Sequence, residues 1–61
     1  MTDIHLGDLV EILDLGDCGI VDEIINDDFG EPNMLVVFLG DGVAEPWASV
    51  PIEKAFRIEA A

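Results

Sequence analysis

Short apolar runs separated by turn-forming residues repeat along the whole chain. The runs are rich in Val, Ile and Leu, and Gly, Pro, Asp and Asn stand between them. Runs of this length and composition are typical of β-strands, because β-branched side chains suit the pleated backbone and the intervening residues suit turns. The pattern therefore predicts five strands, which lie near 8–13, 19–25, 34–39, 43–48 and 55–58.

The first two predicted strands form a hairpin whose turn contains Gly16 and Gly19. We expect positive backbone φ angles at both, because glycine adopts them without steric cost. In the second strand the alternation of apolar and polar residues shifts at Asp22 and Glu23. A β-bulge or a sharp bend at this point would return Ile24 to the interior.

The third run, Met34 to Leu39, has no polar residue. Such a run indicates either a central strand covered on both faces or a strand with an apolar outer face awaiting a partner. The sequence Gly40-Asp41-Gly42 predicts a tight hairpin turn into the fourth strand. Pro46 lacks an amide hydrogen, so it must lie at a sheet edge or a bulge.

A single helical or 3₁₀ turn is predicted over 49–54, where Pro51 suits the first position. Five short strands with glycine-rich turns predict an all-β fold, a five-stranded half-open small barrel with this turn before the last strand. One domain covers residues 1–61. Its predicted core consists of Val10, Ile12, Val21, Ile24, Leu35, Val37, Trp47, Val50 and Ile58.

The amino-acid composition argues against several classes of function. The 61 residues include 14 acids and 2 bases, for a net charge of −12, yet 51% are hydrophobic, so the chain folds. A core this small leaves little room for convergent catalytic groups, which argues against an enzyme. Lys54 and Arg57 are the only cations, so direct binding to nucleic acid or to an anionic membrane is disfavoured.

Other local signals are equally sparse. The segment 1–5 lacks the basic and apolar parts of a secretory signal, which indicates a cytoplasmic protein. The one cysteine, Cys18, cannot form an intrachain disulfide, and with the single His5 it is too little for zinc. The loop 26–33 has oxygen ligands for calcium but not the EF-hand spacing. We therefore predict no cofactor and no metal.

The order of these motifs resembles that of the KOW and related SH3-like small barrels. Gly7-Asp8 precedes a strand, Gly16-Asp17-Cys18-Gly19 precedes the next, and the later Trp47 strand and short turn are similar to that architecture across 7–58. The resemblance implies a binding module, as found in transcription and translation factors, ribosomal proteins and enzyme accessory subunits. RNA-binding members commonly carry Lys and Arg in their loops, whereas these loops carry Asp and Glu. We therefore do not carry over RNA binding, and direct RNA binding through the barrel face stays open only as a third function that the resemblance implies.

The acids are concentrated in one part of the chain. Residues 1–45 contain twelve acids and no base, whereas residues 46–61 are neutral overall. Their carboxylates could imitate the phosphates of nucleic acid, or they could form a solvated face that only keeps the protein soluble. The predicted acidic interaction face consists of Asp14, Asp17, Asp22, Glu23, Asp27, Asp28 and Glu31.

The less charged part of the chain predicts a second, apolar interaction surface, made of Phe29, Trp47, Ile52 and Phe56. Trp47 also fits the core, which we favour for it, and Phe29 could either anchor a partner or fold back over the barrel mouth. Two functions follow. The first is a protein-binding adapter or accessory subunit, whose protein partner could have a basic surface and which could also form a homodimer. The alternative is an inhibitor of phage or mobile-element type that imitates nucleic acid and binds a DNA- or RNA-binding protein.

Overall fold

The computed structural model describes residues 4–61, which form one antiparallel sheet of five strands and one 3₁₀ turn. The all-β prediction and the predicted 3₁₀ turn before the last strand are confirmed. The turn covers Ile52–Lys54. The strands are β1 (Leu9–Ile12), β2 (Asp17–Asn26), β3 (Pro32–Phe38), β4 (Trp47–Pro51) and β5 (Ala55–Glu59).

The strands lie in the order β4-β3-β2-β1-β5, so β4 and β5 are the two edges of the sheet. The 3₁₀ turn joins these two edges along the chain. Within residues 4–61, β4 and β5 are not paired to each other, so backbone hydrogen bonds leave the sheet open. Every paired strand is antiparallel to its neighbour, which suits a chain whose connections are short.

The core lies on one face of this sheet, where inward positions of the strands alternate with outward ones. Six predicted core residues are buried, and Ile24 packs partly buried against them. Ile4 and Ala55 also belong to the core, although the sequence pattern did not select them. The six confirmed residues are Val10, Ile12, Val21, Leu35, Val37 and Val50.

The predicted bulge in β2 is confirmed. Val21 pairs with Val37, but the next residue of β3, Val36, pairs with Glu23, so Asp22 is an extra residue in β2. Because of this extra residue, the residues of β2 that follow it point to the opposite face from the one that strict alternation would give them. Ile24 therefore faces the core beside Leu35. The shifted alternation in the sequence was therefore sufficient to locate this irregularity.

The two glycines of the first hairpin differ in what they do. Gly16 has φ +70°, as predicted, whereas the prediction of a positive φ for Gly19 is wrong. Gly19 lies inside β2 at a buried position, where a β-carbon would collide with the Val37 side chain and the Phe38 carbonyl oxygen. A glycine is needed there because the backbones of β2 and β3 and the Val37 side chain leave no room for a larger residue.

The fourth strand begins later than predicted, and the tight hairpin at Gly40-Asp41-Gly42 is not formed. Residues 39–46 make a longer connection, in which the Leu39 N–H donates to the Pro46 carbonyl at 2.6 Å. Pro46 therefore precedes β4, an edge strand, where its missing amide hydrogen breaks no ladder. In this frame Ala48 faces the core and Trp47 faces outward.

Trp47 and Ile58 were therefore wrongly predicted as core residues. Their exposed fractions are 53% and 52%. Trp47 is outward because β4 starts at that residue. Ile58 is exposed because β5 is an edge strand and buries only its first residue, Ala55, which pairs with Ile12.

Candidate protein-binding surface

The outer face of the sheet, opposite the core, has a row of apolar side chains that crosses four strands. Leu9 pairs with Ile20, Ile20 with Phe38, and Phe38 with Trp47. Their strand neighbours on the inward side are the core residues Val10, Val21 and Val37 and the partly buried Ala48. Because side chains alternate between the faces of a strand, all four members of this apolar row point away from the core.

The apolar row is continuous and open to solvent. Ile20 and Trp47 are 41% and 53% exposed, and Leu9 and Phe38 are half-buried. The Phe38 and Trp47 rings are in tilted contact, with their centroids 5.1 Å apart. Adjacent strands are about 4.8 Å apart, so the row from Leu9 to Trp47 is about 14 Å long. A contiguous surface row of large apolar side chains marks an interaction site more strongly than isolated exposed residues do.

Carboxylates border the Leu9 and Ile20 half of the apolar row on three sides. Glu59 pairs with Leu9, at the β5 end. Glu11 follows Leu9 by two residues in β1, and Asp22 follows Ile20 by two residues in β2. Because β1 and β2 are antiparallel, these two side chains lie on opposite sides of the row. All three acids are exposed.

Neither of the two cations joins this border in the part of the chain that the structure describes. Lys54 lies in the 3₁₀ turn, with its Nζ 3.6 Å from an Asp14 carboxylate oxygen. Arg57 lies opposite Val10, which is an inward position of β1. The outer face therefore combines apolar side chains with an acidic border.

The predicted acidic interaction face is spread along the β2 hairpin. Asp14 lies in the β1–β2 turn, Asp17 begins β2, and Asp22 and Glu23 form the bulge. The ten residues of β2 extend about 30 Å at about 3.3 Å per residue. Its outward residues from Cys18 to the bulge are Cys18, Ile20 and Asp22, so a thiol and an apolar side chain interrupt the acids.

The remaining predicted acids lie in the β2–β3 turn. One Asp27 carboxylate oxygen accepts hydrogen bonds from the backbone N–H groups of Phe29 at 2.8 Å and Glu31 at 3.0 Å. Asp27 therefore organises the turn, in the way that aspartates commonly do. Asp28 is exposed in the same turn, as is Glu31.

The four residues of the predicted apolar surface lie in different places. Phe29 is 89% exposed in the β2–β3 turn, so it does not fold back over the core. Phe56 is 58% exposed and lies opposite Glu11, whereas Ile52 packs partly buried against the core. Three strands of the sheet separate Phe56 from Trp47. The structure instead brings Trp47 together with residues that the sequence did not single out.

A small groove of about 250 Å³ opens between the β1–β2 turn and the 3₁₀ turn. The backbone N–H of Leu13 donates to the Lys54 carbonyl at 3.0 Å, which holds the two turns together. The Asp14–Lys54 ion pair is the charged part of its lining. The other lining residues are Ile12, Leu15, Ser49, Val50 and Pro51.

Asp8 is a buried carboxylate that connects distant parts of the chain. Its Oδ2 accepts from the His5 N–H and its Oδ1 accepts from the Ala61 N–H, both at 2.8 Å. The pKa of Asp8 is lowered, chiefly because the His5 N–H donates a hydrogen bond to its carboxylate and, second, because the Ala61 N–H does. Desolvation by burial raises the pKa and is outweighed by these hydrogen bonds. The sequence offered only the Gly-Asp turn pair as a signal for this residue, and nothing local identified its partner at position 61.

Other kinds of site find little support in the described residues. Within residues 4–61, no three His, Cys, Asp or Glu side chains converge as metal ligands. The same residues include no helix with the length and hydrophobicity needed to cross a membrane. Cys18 is a free thiol on the surface of β2.

Comparisons with known proteins identify no family for this chain. No protein-family model matches it, and neither curated proteins nor solved structures give a significant match.

Proposed function

We propose that this chain is a small, non-enzymatic protein-binding module of the cytoplasm, which acts as an adapter or accessory subunit. We further propose that its sheet is the half-open barrel of the SH3-like class. The strand order, with β1 between β2 and β5, and the 3₁₀ turn that links the two edge strands support that arrangement. The two register shifts in the β2–β3 pairing and the one in the β1–β5 pairing favour a curved sheet.

The observation that carries the proposed function is the apolar row on the outer face. In the unbound chain, about half of the surface of Trp47 is exposed to solvent. Burial of that remainder, on the order of 100 Å², would contribute about 2.5 kcal/mol to a complex. Tryptophan is also one of the residue types that dominate binding energy in protein interfaces.

The ionisable groups support a binding role over catalysis. Among the described residues, Asp8 is the one buried charged side chain, and backbone N–H groups occupy both of its oxygens. The groove beside the 3₁₀ turn has one exposed ion pair, whose side chains are 45% and 70% exposed. Neither place brings a nucleophile to a base within an enclosed cavity, which acid–base or covalent catalysis would require.

Affinity capture with matched surface variants tests this function. The immobilised protein is exposed to lysate and washed at about 0.1 M and about 1 M salt, which shortens the Debye length from about 10 Å to about 3 Å. We expect the unchanged chain and the Phe29→Ser variant to retain the same partner protein at both salt concentrations. The Ile20→Ser variant should fail to retain it. Phe29→Ser is the control because it removes an exposed apolar side chain outside the apolar row.

The alternative function, imitation of nucleic acid, predicts a different result. Nucleic-acid-binding proteins would be released at about 1 M salt and retained equally by Ile20→Ser at about 0.1 M. The interruption of the acids along β2 by Cys18 and Ile20 favours a mixed apolar and acidic contact instead. Retention that is independent of Ile20 would therefore contradict the proposed use of the apolar row.

A further inference from the structure

The chemistry of a partner for the apolar row follows from the charges around it. Glu11, Asp22 and Glu59 border the Leu9 and Ile20 half of the row on three sides, and both described cations lie elsewhere. A partner that covers the row must bring its own edge close to these carboxylates. Opposite charges at such an edge attract the partner and fix its orientation, whereas like charges repel it.

A second copy of this chain is a poor occupant of the row. Each copy has a net charge of −12. A symmetric contact through the same surface would bring two acidic borders together, because a twofold interface uses the same patch on both subunits. The repulsion would be strongest at low salt, where screening is weakest.

We infer that the apolar row docks a cationic amphipathic segment of another protein, with an apolar stripe flanked by Lys or Arg side chains. This inference rests on the proposed protein-binding function and adds the chemistry of the ligand. The stripe matches the row in length at about 14 Å. An α-helix spans that distance in about ten residues, with apolar side chains at i, i+3, i+7 and i+10.

Each part of the surface has its own role in this contact. The apolar row buries the stripe and supplies most of the affinity, because burial of apolar area is the largest favourable term in association. Glu11 and Asp22 select the charge of the flanking residues, since they lie on opposite sides of the row. Trp47 adds a ring face over which a Lys or Arg side chain can stack.

The test uses three synthetic peptides of about 14 residues with that apolar spacing, flanked by Lys, Gln or Glu. Trp47 is the only tryptophan of the chain, so its fluorescence reports binding at the apolar row directly. We expect the Lys-flanked peptide to bind about tenfold more tightly than the Gln-flanked one at about 0.1 M salt, and the Glu-flanked peptide to bind weakest. This comparison needs no variant of the protein.

A pair of double variants separates the border from the net charge. Glu11→Lys with Asp22→Lys reverses two border charges, and Asp28→Lys with Asp41→Lys makes the same change of net charge in exposed turns. We expect the first to abolish or reverse the preference for Lys flanks and the second to retain it. Equal losses in both would show that net charge alone attracts the peptide and would overturn the inference.

The outcomes also distinguish this inference from the proposed function. If the Gln-flanked peptide binds as tightly as the Lys-flanked one, the cationic partner is wrong and the docking surface stands. If no peptide changes Trp47 emission, or if Ile20→Ser leaves peptide binding unchanged, the docking surface itself is wrong. A stable dimer in sedimentation at about 0.1 M salt would assign the row to a second copy and overturn the inference.

Discussion

Replacement of Gly19 by alanine is the sharpest test of how β2 and β3 fit together. Gly19 lies one residue before Ile20 of the apolar row, at a buried position of β2. A β-carbon at this position would collide with the Val37 side chain and with the Phe38 carbonyl oxygen, and would lie 3.2 Å from the Leu39 side chain. A side chain can rotate away, but the carbonyl belongs to the backbone of β3, so the strands themselves must shift.

The expected loss of stability is large for a chain of this length. Extra methyl groups forced into a packed core cost about 1–3 kcal/mol, and we expect about 2 kcal/mol here because backbone must move. A chain of 61 residues has a free energy of unfolding of only a few kcal/mol. A loss of about 2 kcal/mol corresponds to a fall in Tm of about 8–16 °C for a domain of this size.

Urea unfolding, followed by Trp47 fluorescence and by far-UV circular dichroism, measures this change. Gly42→Ala is the matched control, because a β-carbon at Gly42 meets no atom within 4 Å and Gly42 is not among the positive-φ glycines. We expect the control to leave stability unchanged or to raise it by up to about 1 kcal/mol, through a less flexible unfolded chain. Equal midpoints for the two variants would refute the close approach of β2 and β3 at Gly19.

Three further predictions concern the core, the buried carboxylate and the acidic turn. Leu35→Ala should destabilise the fold by about 2–5 kcal/mol, because Leu35 is fully buried. Urea midpoints measure this loss, and a loss below about 1 kcal/mol would contradict the central position of Leu35 in the core. The lowered pKa of Asp8 means that its stabilising effect is complete above its unfolded pKa of about 3.8 and is lost as pH falls through its lower folded pKa. Asp8→Asn should therefore lower stability at pH 7 and flatten the decline of urea midpoints below about pH 4, and an unchanged decline would exclude Asp8 as its source. Asp27→Ala should destabilise the fold by about 0.5–1.5 kcal/mol and Asp28→Ala by less, because only Asp27 accepts the two turn hydrogen bonds, and equal thermal midpoints would argue against that arrangement.

The features of the fold that could be predicted are those that depend on the alternation of apolar and polar residues within one strand. The exchange of apolar and polar positions at Asp22 and Glu23 was enough to predict the bulge, because each strand residue must face either core or solvent. The fourth strand was misplaced for a related reason. The apolar residues Val43 and Ala44 resemble the start of a strand, but the hydrogen bond from Leu39 to Pro46 makes them part of the connection. Local sequence does not show which of these alternatives the neighbouring strand allows.

For the candidate surface, the sequence could predict some of the residues but not their arrangement in one row. The apolar run Met34 to Leu39 indicated an exposed apolar face as one of two alternatives, and the structure leaves its outward residues half-buried. Trp47 was identified as a candidate in the sequence, but Leu9 and Ile20 were not. Their membership in the row depends on register between strands that are distant in sequence, and register is a property of pairs of segments.

The β class, the short 3₁₀ turn, most of the core and the net charge of −12 can be predicted without a structure, because they depend on residue types and on spacing within one segment. The folded sheet determines which side chains are neighbours. It placed four apolar residues in one row with acids around it, and it gave Asp8 a partner 53 residues away. Such contacts arise when the chain closes long loops into a sheet. A local pattern predicts the strands that pair but leaves their order and register to the packing of the whole sheet.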